Sequence, residues 1–121
     1  MAETLTLADT GLDAATLARL RAVFAACAEV ERVWLYGSRA RGRYRPGSDL
    51  DLAVEGELDF DALTRLLDRL DDLDLPLKID LHRLEDIQDA ALRAAIRREG
   101  LLLYASPDRP HPSIEPGAPS C

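Results

Sequence analysis

Two aspartates one residue apart, Asp49 and Asp51, stand at the start of an apolar segment that runs from Leu50 to Val54. Side chains at positions i and i+2 of a strand point to the same face, so these carboxylates would lie roughly 6.5–7 Å apart. That spacing can bracket two divalent cations, which lie about 3.5–4 Å apart in two-metal phosphoryl-transfer sites. Taken alone, the Asp-x-Asp pattern is common, and Ser48-Asp49 could equally form a turn or a helix cap.

A third carboxylate, Asp80, lies on the polar side of a second alternating segment, Leu77 to His82. Leu77, Ile79 and Leu81 would face one side of a strand, and Lys78, Asp80 and His82 the other. We expect Asp80 to complete the carboxylate set, with Lys78 as a possible ion-pair partner that favours its ionised form. The alternative is an ordinary exposed aspartate near a strand end. His82 has no second His or Cys nearby and does not indicate zinc.

A Gly37-Ser38 turn follows the β-rich segment Val33 to Tyr36, and a small-residue turn in that position can present backbone N–H groups to phosphates. Arg39 comes next and is the best candidate among the arginines for a phosphate contact, because guanidinium groups suit phosphate oxygens. Three more arginines follow at alternate positions, and these could contact a nucleotide, contact a partner, or belong to a solvated loop: Arg41, Arg43 and Arg45.

The remaining chain supplies the elements that must position these residues. We predict a helix from Asp13 to about Ala28, with Asp13 as its N-cap and one apolar stripe. A second helix should run from about Asp59 to Leu70, and a third from about Glu85 to Arg98 with Gly100 as its C′ residue. Leu101 to Tyr104 would add a short edge strand or an extended tail. The inward residues of the first two helices are predicted to be Leu17, Leu20, Phe24 and Cys27, and Phe60, Leu63, Leu67 and Leu70.

The order helix, strand, strand, helix, strand, helix predicts a small α/β (α+β) domain over residues 1–104, a mixed sheet with helices packed on one face. Residues 105–121 contain five of the seven prolines and are expected to be a flexible tail. The net charge of −7 excludes broad nucleic-acid binding. No apolar run approaches the ~20 residues that span a bilayer, and no secretory pattern opens the chain, so no membrane association and a cytoplasmic location are expected.

Gly37-Ser38, ten intervening residues and Asp49-x-Asp51, followed by Asp80 on a later strand, resemble the signature of the nucleotidyltransferase superfamily that includes DNA polymerase beta. The fuller pattern Gly-Ser-x-Ala-x-Gly-x5-Ser-Asp-x-Asp-Leu matches Gly37 through Leu52. The segment Ile96 to Tyr104 is also similar to the end of the minimal nucleotidyltransferase (MNT) group, and the resemblance covers about residues 12–104.

The resemblance implies a nucleoside triphosphate substrate, ATP, with two Mg²⁺ ions. Gly37, Ser38, Arg39 and Ser48 would hold the nucleotide, Asp49 and Asp51 both metals, and Asp80 one metal while it helps to deprotonate the acceptor hydroxyl.

The MNT resemblance further implies an antitoxin that transfers AMP to a tyrosine of an all-helical HEPN toxin in a hetero-oligomer. The chain is too small to carry its own acceptor-recognition domain, which independently favours a protein partner. Two alternatives stay open at this point. A non-catalytic antitoxin could neutralise its toxin by binding alone, or the acceptor could be a small molecule.

Overall fold

The computed structural model describes residues 12–37 and 49–107. Within these ranges the chain forms three α-helices, four strands and one turn of 3₁₀-helix. The elements, in chain order, are α1 (Ala14–Ala25), β1 (Val30–Tyr36), β2 (Leu50–Gly56), α2 (Phe60–Asp71), β3 (Ile79–Arg83), the 3₁₀ turn (Leu84–Asp86), α3 (Ala90–Glu99) and β4 (Leu101–Ala105).

The four strands form one mixed sheet in the order β3-β2-β1-β4. β1 pairs antiparallel with both β2 and β4, whereas β3 pairs parallel with β2 and is reached through α2. In this register Asp51 lies opposite Tyr36 on one side and opposite Asp80 on the other. The mixed sheet and its helices confirm the predicted fold class.

Helices α1 and α2 cover one face of the sheet. Each begins at an aspartate that accepts a hydrogen bond from a backbone N–H in the first turn: Asp13 from Thr16 at 2.7 Å and Asp59 from Ala62 at 2.8 Å. The apolar stripe predicted for α1 is confirmed, since its residues are buried against the sheet. The buried side chains of this main core include Leu17, Leu20, Phe24, Cys27, Val33, Leu35, Leu52, Val54 and Leu81.

The prediction for α2 is wrong at two positions. Its buried stripe is Ala62, Leu66 and Leu70, whereas Phe60 is 75% exposed and Leu67 is 38% exposed. Helix α2 is rotated about its own axis relative to the prediction, so that Ala62 and Leu66 face the sheet in place of Phe60 and Leu67. Two large apolar side chains are therefore left on the outer surface of the protein.

Helix α3 departs from the expectation that all helices pack on one face. Its Ile96 joins Ala53 and Leu84 in a second, smaller core on the opposite face, beside Trp34 and Tyr36. The helix also begins at Ala90 rather than near Glu85. The side chain of Asp89 caps it by accepting from two first-turn amides, while the residues before it form the 3₁₀ turn instead.

Glu55 fastens α3 to the sheet. Its side chain is only 13% exposed and accepts hydrogen bonds from Arg32 at 3.0 Å, Trp34 at 2.8 Å and Arg97 at 2.8 Å. Burial raises the pKa of Glu55, but the hydrogen bonds from Trp34 and Arg32 and the charges of both arginines outweigh it, so the pKa lies below its ordinary value.

Gly100 ends α3 in a way that the sequence did not predict. Its backbone is extended, with φ −68° and ψ 160°, and not in the left-handed conformation of a C′ glycine. The reason for glycine is a close approach of backbone, because a Cβ here would lie 3.2 Å from the carbonyl oxygen of Leu35 and closer still to that of Ile96.

The predicted edge strand is confirmed as β4, which continues to Ala105, and the Ser106 amide donates to the carbonyl of Glu31 at 2.8 Å. The predicted tail lies, from residue 108 onward, outside the described residues. Among residues 12–37 and 49–107, no helix is long and apolar enough to cross a membrane.

Candidate active site

Asp51 and Asp80 lie side by side on neighbouring parallel strands. Each is flanked along its strand by apolar residues of the main core, Leu50 and Leu52 for Asp51 and Leu81 for Asp80. Because side chains alternate along a strand, burying these leucines under α1 and α2 turns both carboxylates to the opposite face. In-register pairing then makes the two aspartates direct neighbours across the sheet. Asp49, just before β2, is exposed.

The carboxylates act on one another electrostatically. Burial raises the pKa of Asp51, the charges of Asp80 and Asp49 raise it further, and only His82 opposes them. The pKa of Tyr36, which lies opposite Asp51 on β1, is raised by burial and then by Asp51 and Asp80. The site therefore concentrates negative charge that a cation would relieve.

The ion-pair partner of Asp80 differs from the predicted one. His82 lies two residues further along the same strand face and places its Nε2 3.1 Å from Oδ1 of Asp80. Lys78 precedes the first residue of β3, and its backbone carbonyl accepts a hydrogen bond from the Leu50 amide at 2.8 Å. Both side chains of the His82–Asp80 pair remain about half exposed, so His82 can release Asp80 to another ligand at small cost.

The backbone of Gly37, at the end of β1, lies close to the carboxylate of Asp51. Its φ is +80°, a conformation that favours glycine, and an added Cβ would lie 3.2 Å from Cγ of Asp51 and closer still to its Oδ2. The predicted small-residue turn is thus required for two reasons, the backbone conformation and the room for the carboxylate. A cleft of about 230 Å³ opens beside it, between Tyr36, Gly37 and the Leu92–Ile96 side of α3.

The donor set fits a hard divalent cation. Mg²⁺ is commonly held by one or two carboxylates, with waters and substrate phosphates as the other ligands. Asp51 and Asp80 supply such a pair. In the part of the chain that the structure describes, no three His, Cys, Asp or Glu side chains converge on a single point, so the remaining ligands would come from phosphate, water or a reoriented Asp49.

Several predicted site residues lie outside the described residues: Ser38, Arg39 and Ser48, together with Arg41, Arg43 and Arg45. Two described residues were undervalued by the sequence reasoning. The motif spacing gives Tyr36 no role in the site, and it indicates His82 only as a poor zinc ligand. The alternation of β1 and β3 was the available signal, because it places Tyr36 on the polar face next to Gly37 and His82 on the face of Asp80.

Residues 19–109 match the family described as Polymerase beta, Nucleotidyltransferase. This match spans most of the chain, and the chain therefore belongs to the polymerase beta nucleotidyltransferase family. The mixed sheet and helices of the described residues are consistent with the fold of that family.

Two further similarities extend the comparison. A relative from Haemophilus influenzae, named "Probable protein adenylyltransferase MntA", is 47% identical over 51 residues, which cover 40% of this chain and 45% of the relative. The matched part is thus less than half of that relative's length. A solved structure described as a toxin-antitoxin with AMP-PNP superposes with a TM-score of 0.55 at 20% identity, covering 75% of this chain and 74% of that one. At this identity the likeness concerns the fold.

Proposed function

We propose that this chain is a Mg²⁺-dependent protein adenylyltransferase that moves AMP from ATP to a hydroxyl group of a partner protein, with release of pyrophosphate, and acts as an antitoxin. The observation that carries the proposal is the in-register placement of Asp51 and Asp80, with Gly37 against the carboxylate of Asp51. A protein adenylyltransferase among its relatives and a toxin–antitoxin neighbour in fold supply the choice of acceptor.

Each residue has a role in this proposal. Asp49 and Asp51 hold both metal ions, and Asp80 holds one of them and accepts the proton of the attacking hydroxyl. Gly37, Ser38, Arg39 and Ser48 hold the nucleotide. Bound Mg²⁺ would supply charge neutralisation at the attacking and leaving oxygens.

His82 contributes through Asp80. Its ring lies 3.1 Å from Oδ1 of that carboxylate and leaves the other oxygen available to the acceptor. We assign it a role in the protein without bound metal, where it orients Asp80, and because the contact is half exposed it can yield when the carboxylate takes another ligand.

The proposed partner is a HEPN-type all-helical toxin, and the proposed acceptor is one of its tyrosines. Both follow from the MNT resemblance. The described residues 12–37 and 49–107 form one sheet and the helices that cover it, so whatever they contribute to acceptor recognition lies on the surface of these elements.

The test is to incubate the protein with ATP, Mg²⁺ and the product of the adjacent reading frame, and to measure the intact mass of that product. A gain of one or more AMP units is expected with the wild type and none with Asp51→Asn or Asp80→Asn. Glu57→Gln, an exposed carboxylate after β2, is the matched control and should transfer normally.

Protection of cells is measured in parallel. If Asp49→Ala with Asp51→Ala abolishes transfer but still protects cells, neutralisation is by binding and the enzymatic account is wrong. An unchanged mass of the partner with the wild type, in a complex that forms tightly, leads to the same conclusion.

A further inference from the structure

A groove lies between the C-terminal half of α2 and the start of β3, and it is here called the α2–β3 groove. It has a volume of about 460 Å³. Its apolar walls include Leu67, Leu75 and Leu77, and its acidic rim is Asp68, Asp71 and Asp74. The groove lies away from the nucleotide turn at Gly37, and the proposed nucleotide chemistry does not use it.

The outer face of α2 extends the apolar surface of the groove. Leu67 is 38% exposed and Phe60, two turns earlier on the same side of the helix, is 75% exposed. Exposed apolar surface that is rimmed by polar residues marks interaction sites. Leu67 belongs both to this exposed face of α2 and to the wall of the groove.

The groove and the carboxylates lie at the same end of β3, on opposite faces of the sheet. Ile79 lines the groove on the α2 side and pairs with Leu50, and the next pair in the register, Asp80 with Asp51, points to the other face. β3 is the last strand of the described sheet on this side, so a partner seated in the groove meets no further strand if it extends around this edge to Asp80.

The charge of the groove indicates which kind of segment can bind in it. Three aspartates and one basic residue, Lys78, line it, so a complementary segment must be basic at its edges and apolar at its centre. An amphipathic helix meets both needs, with leucine-type residues at i, i+3, i+4 and i+7 and lysine or arginine beside them.

We infer that the α2–β3 groove is the docking site for the acceptor protein, which seats a basic amphipathic helix there and extends around the edge of β3 to present its hydroxyl to Asp80. This inference rests on the proposed function, because it names the surface that brings the acceptor to that active site. It gives the exposed apolar side chains of Phe60 and Leu67 a partner.

The experiment compares the wild type with Asp68→Lys/Asp71→Lys, which reverses the rim at two exposed helix positions, and with Leu67→Gln. The matched control is Glu57→Lys/Glu85→Lys, which changes the net charge equally at exposed positions outside both the groove and α2. The probe is the purified product of the adjacent reading frame. Its dissociation constant is measured first, and then KM and kcat for AMP transfer.

The rim variant should weaken binding at least about tenfold and raise KM for the partner by a similar factor, with kcat within about twofold of the wild type. Leu67→Gln should weaken binding about fivefold, and the control should bind within about twofold. Binding of the rim variant at wild-type strength overturns the docking site, as does equal weakening of the control, which would show charge attraction without a site.

The two proposals fail in different ways. Tight, groove-dependent binding without any AMP transfer refutes the proposed enzymatic function and supports the docking site. Transfer by the rim variant with wild-type KM supports the function and refutes the docking site. Failure of the wild type to bind the probe counts against the docking site.

Discussion

Replacement of Gly37 by alanine should damage the site more than the fold. An alanine at φ +80° costs about 1–2 kcal/mol in backbone conformation. Its Cβ would lie 3.2 Å from Cγ and 3.4 Å from Cβ of Asp51, so the carboxylate must rotate away from its present position. Because a side chain can move where backbone cannot, we expect the protein to fold with a Tm lower by about 4–8 °C. AMP transfer should fall about 100-fold or more, since a misplacement near 1 Å can have that effect.

A double-mutant cycle separates the two causes. The free energy of unfolding is measured by urea denaturation for the wild type, Gly37→Ala, Asp51→Ala and the double variant. In the Asp51→Ala background the contact with the carboxylate is absent. Gly37→Ala should then lower the free energy of unfolding only by the conformational cost of placing alanine at φ +80°. Gly37→Asn is the matched control, because asparagine adopts this conformation more readily but still carries a Cβ. Gly37→Asn should therefore be more stable than Gly37→Ala, but it should transfer AMP no faster.

The reasoning is refuted by either of two results. One is additivity of the two substitutions within about 0.5 kcal/mol, which would mean that Gly37 and Asp51 do not interact. The other is AMP transfer by Gly37→Asn at the wild-type rate, which would mean that the Cβ leaves the carboxylate where it is needed.

Three further predictions concern the packing of α3. Glu55→Ala should lower the free energy of unfolding by about 2–4 kcal/mol in urea denaturation, because the Trp34 indole and two arginines lose their acceptor. A decrease below about 0.5 kcal/mol would contradict this prediction. Glu55 has a lowered folded-state pKa, so its contribution is complete above its ordinary value near 4.5 and is lost as the pH falls through the folded value. Between pH 7 and pH 3 the urea midpoint should therefore decrease more for the wild type than for Glu55→Gln. Equal decreases in the two midpoints would contradict a stabilising role of the ionised Glu55. Gly100→Ala should cost about 1–3 kcal/mol by thermal unfolding, because its Cβ meets the backbone of Ile96, and an unchanged Tm would exclude that contact.

Much of the candidate site was predictable from the sequence because strand alternation is a local property. Leu50 and Leu52 must be buried, so Asp51 must point the other way, and the same argument applies to Asp80 and Leu81. Both expectations are confirmed by the register of β2 and β3. The start of α1 was also predictable from local sequence, because an aspartate just before an apolar helical stripe is a typical N-cap, and Asp13 occupies that position.

The wrong predictions all depend on how elements meet in space. Apolar residues occur on two adjoining stripes of α2, and only the position of the sheet decides that Leu66 is buried and Phe60 is exposed. The face that α3 covers depends on the Ile96–Ala53 contact, which joins distant parts of the chain. His82 pairs with Asp80 because the strand begins at Ile79, after Lys78, and periodicity alone does not fix that boundary.

The parallel pairing of β2 with β3 ties the carboxylate pair to the completion of folding. Asp51 and Asp80 are about 30 residues apart along the chain and become neighbours only after α2 has packed and β3 has joined the sheet. Pairings of this kind form late, because the entropy lost on closing the intervening loop precedes any gain from the contact. A newly made chain therefore has no assembled site until its sheet is complete. A ligand that bridges both carboxylates binds the folded state alone and raises its unfolding temperature by mass action.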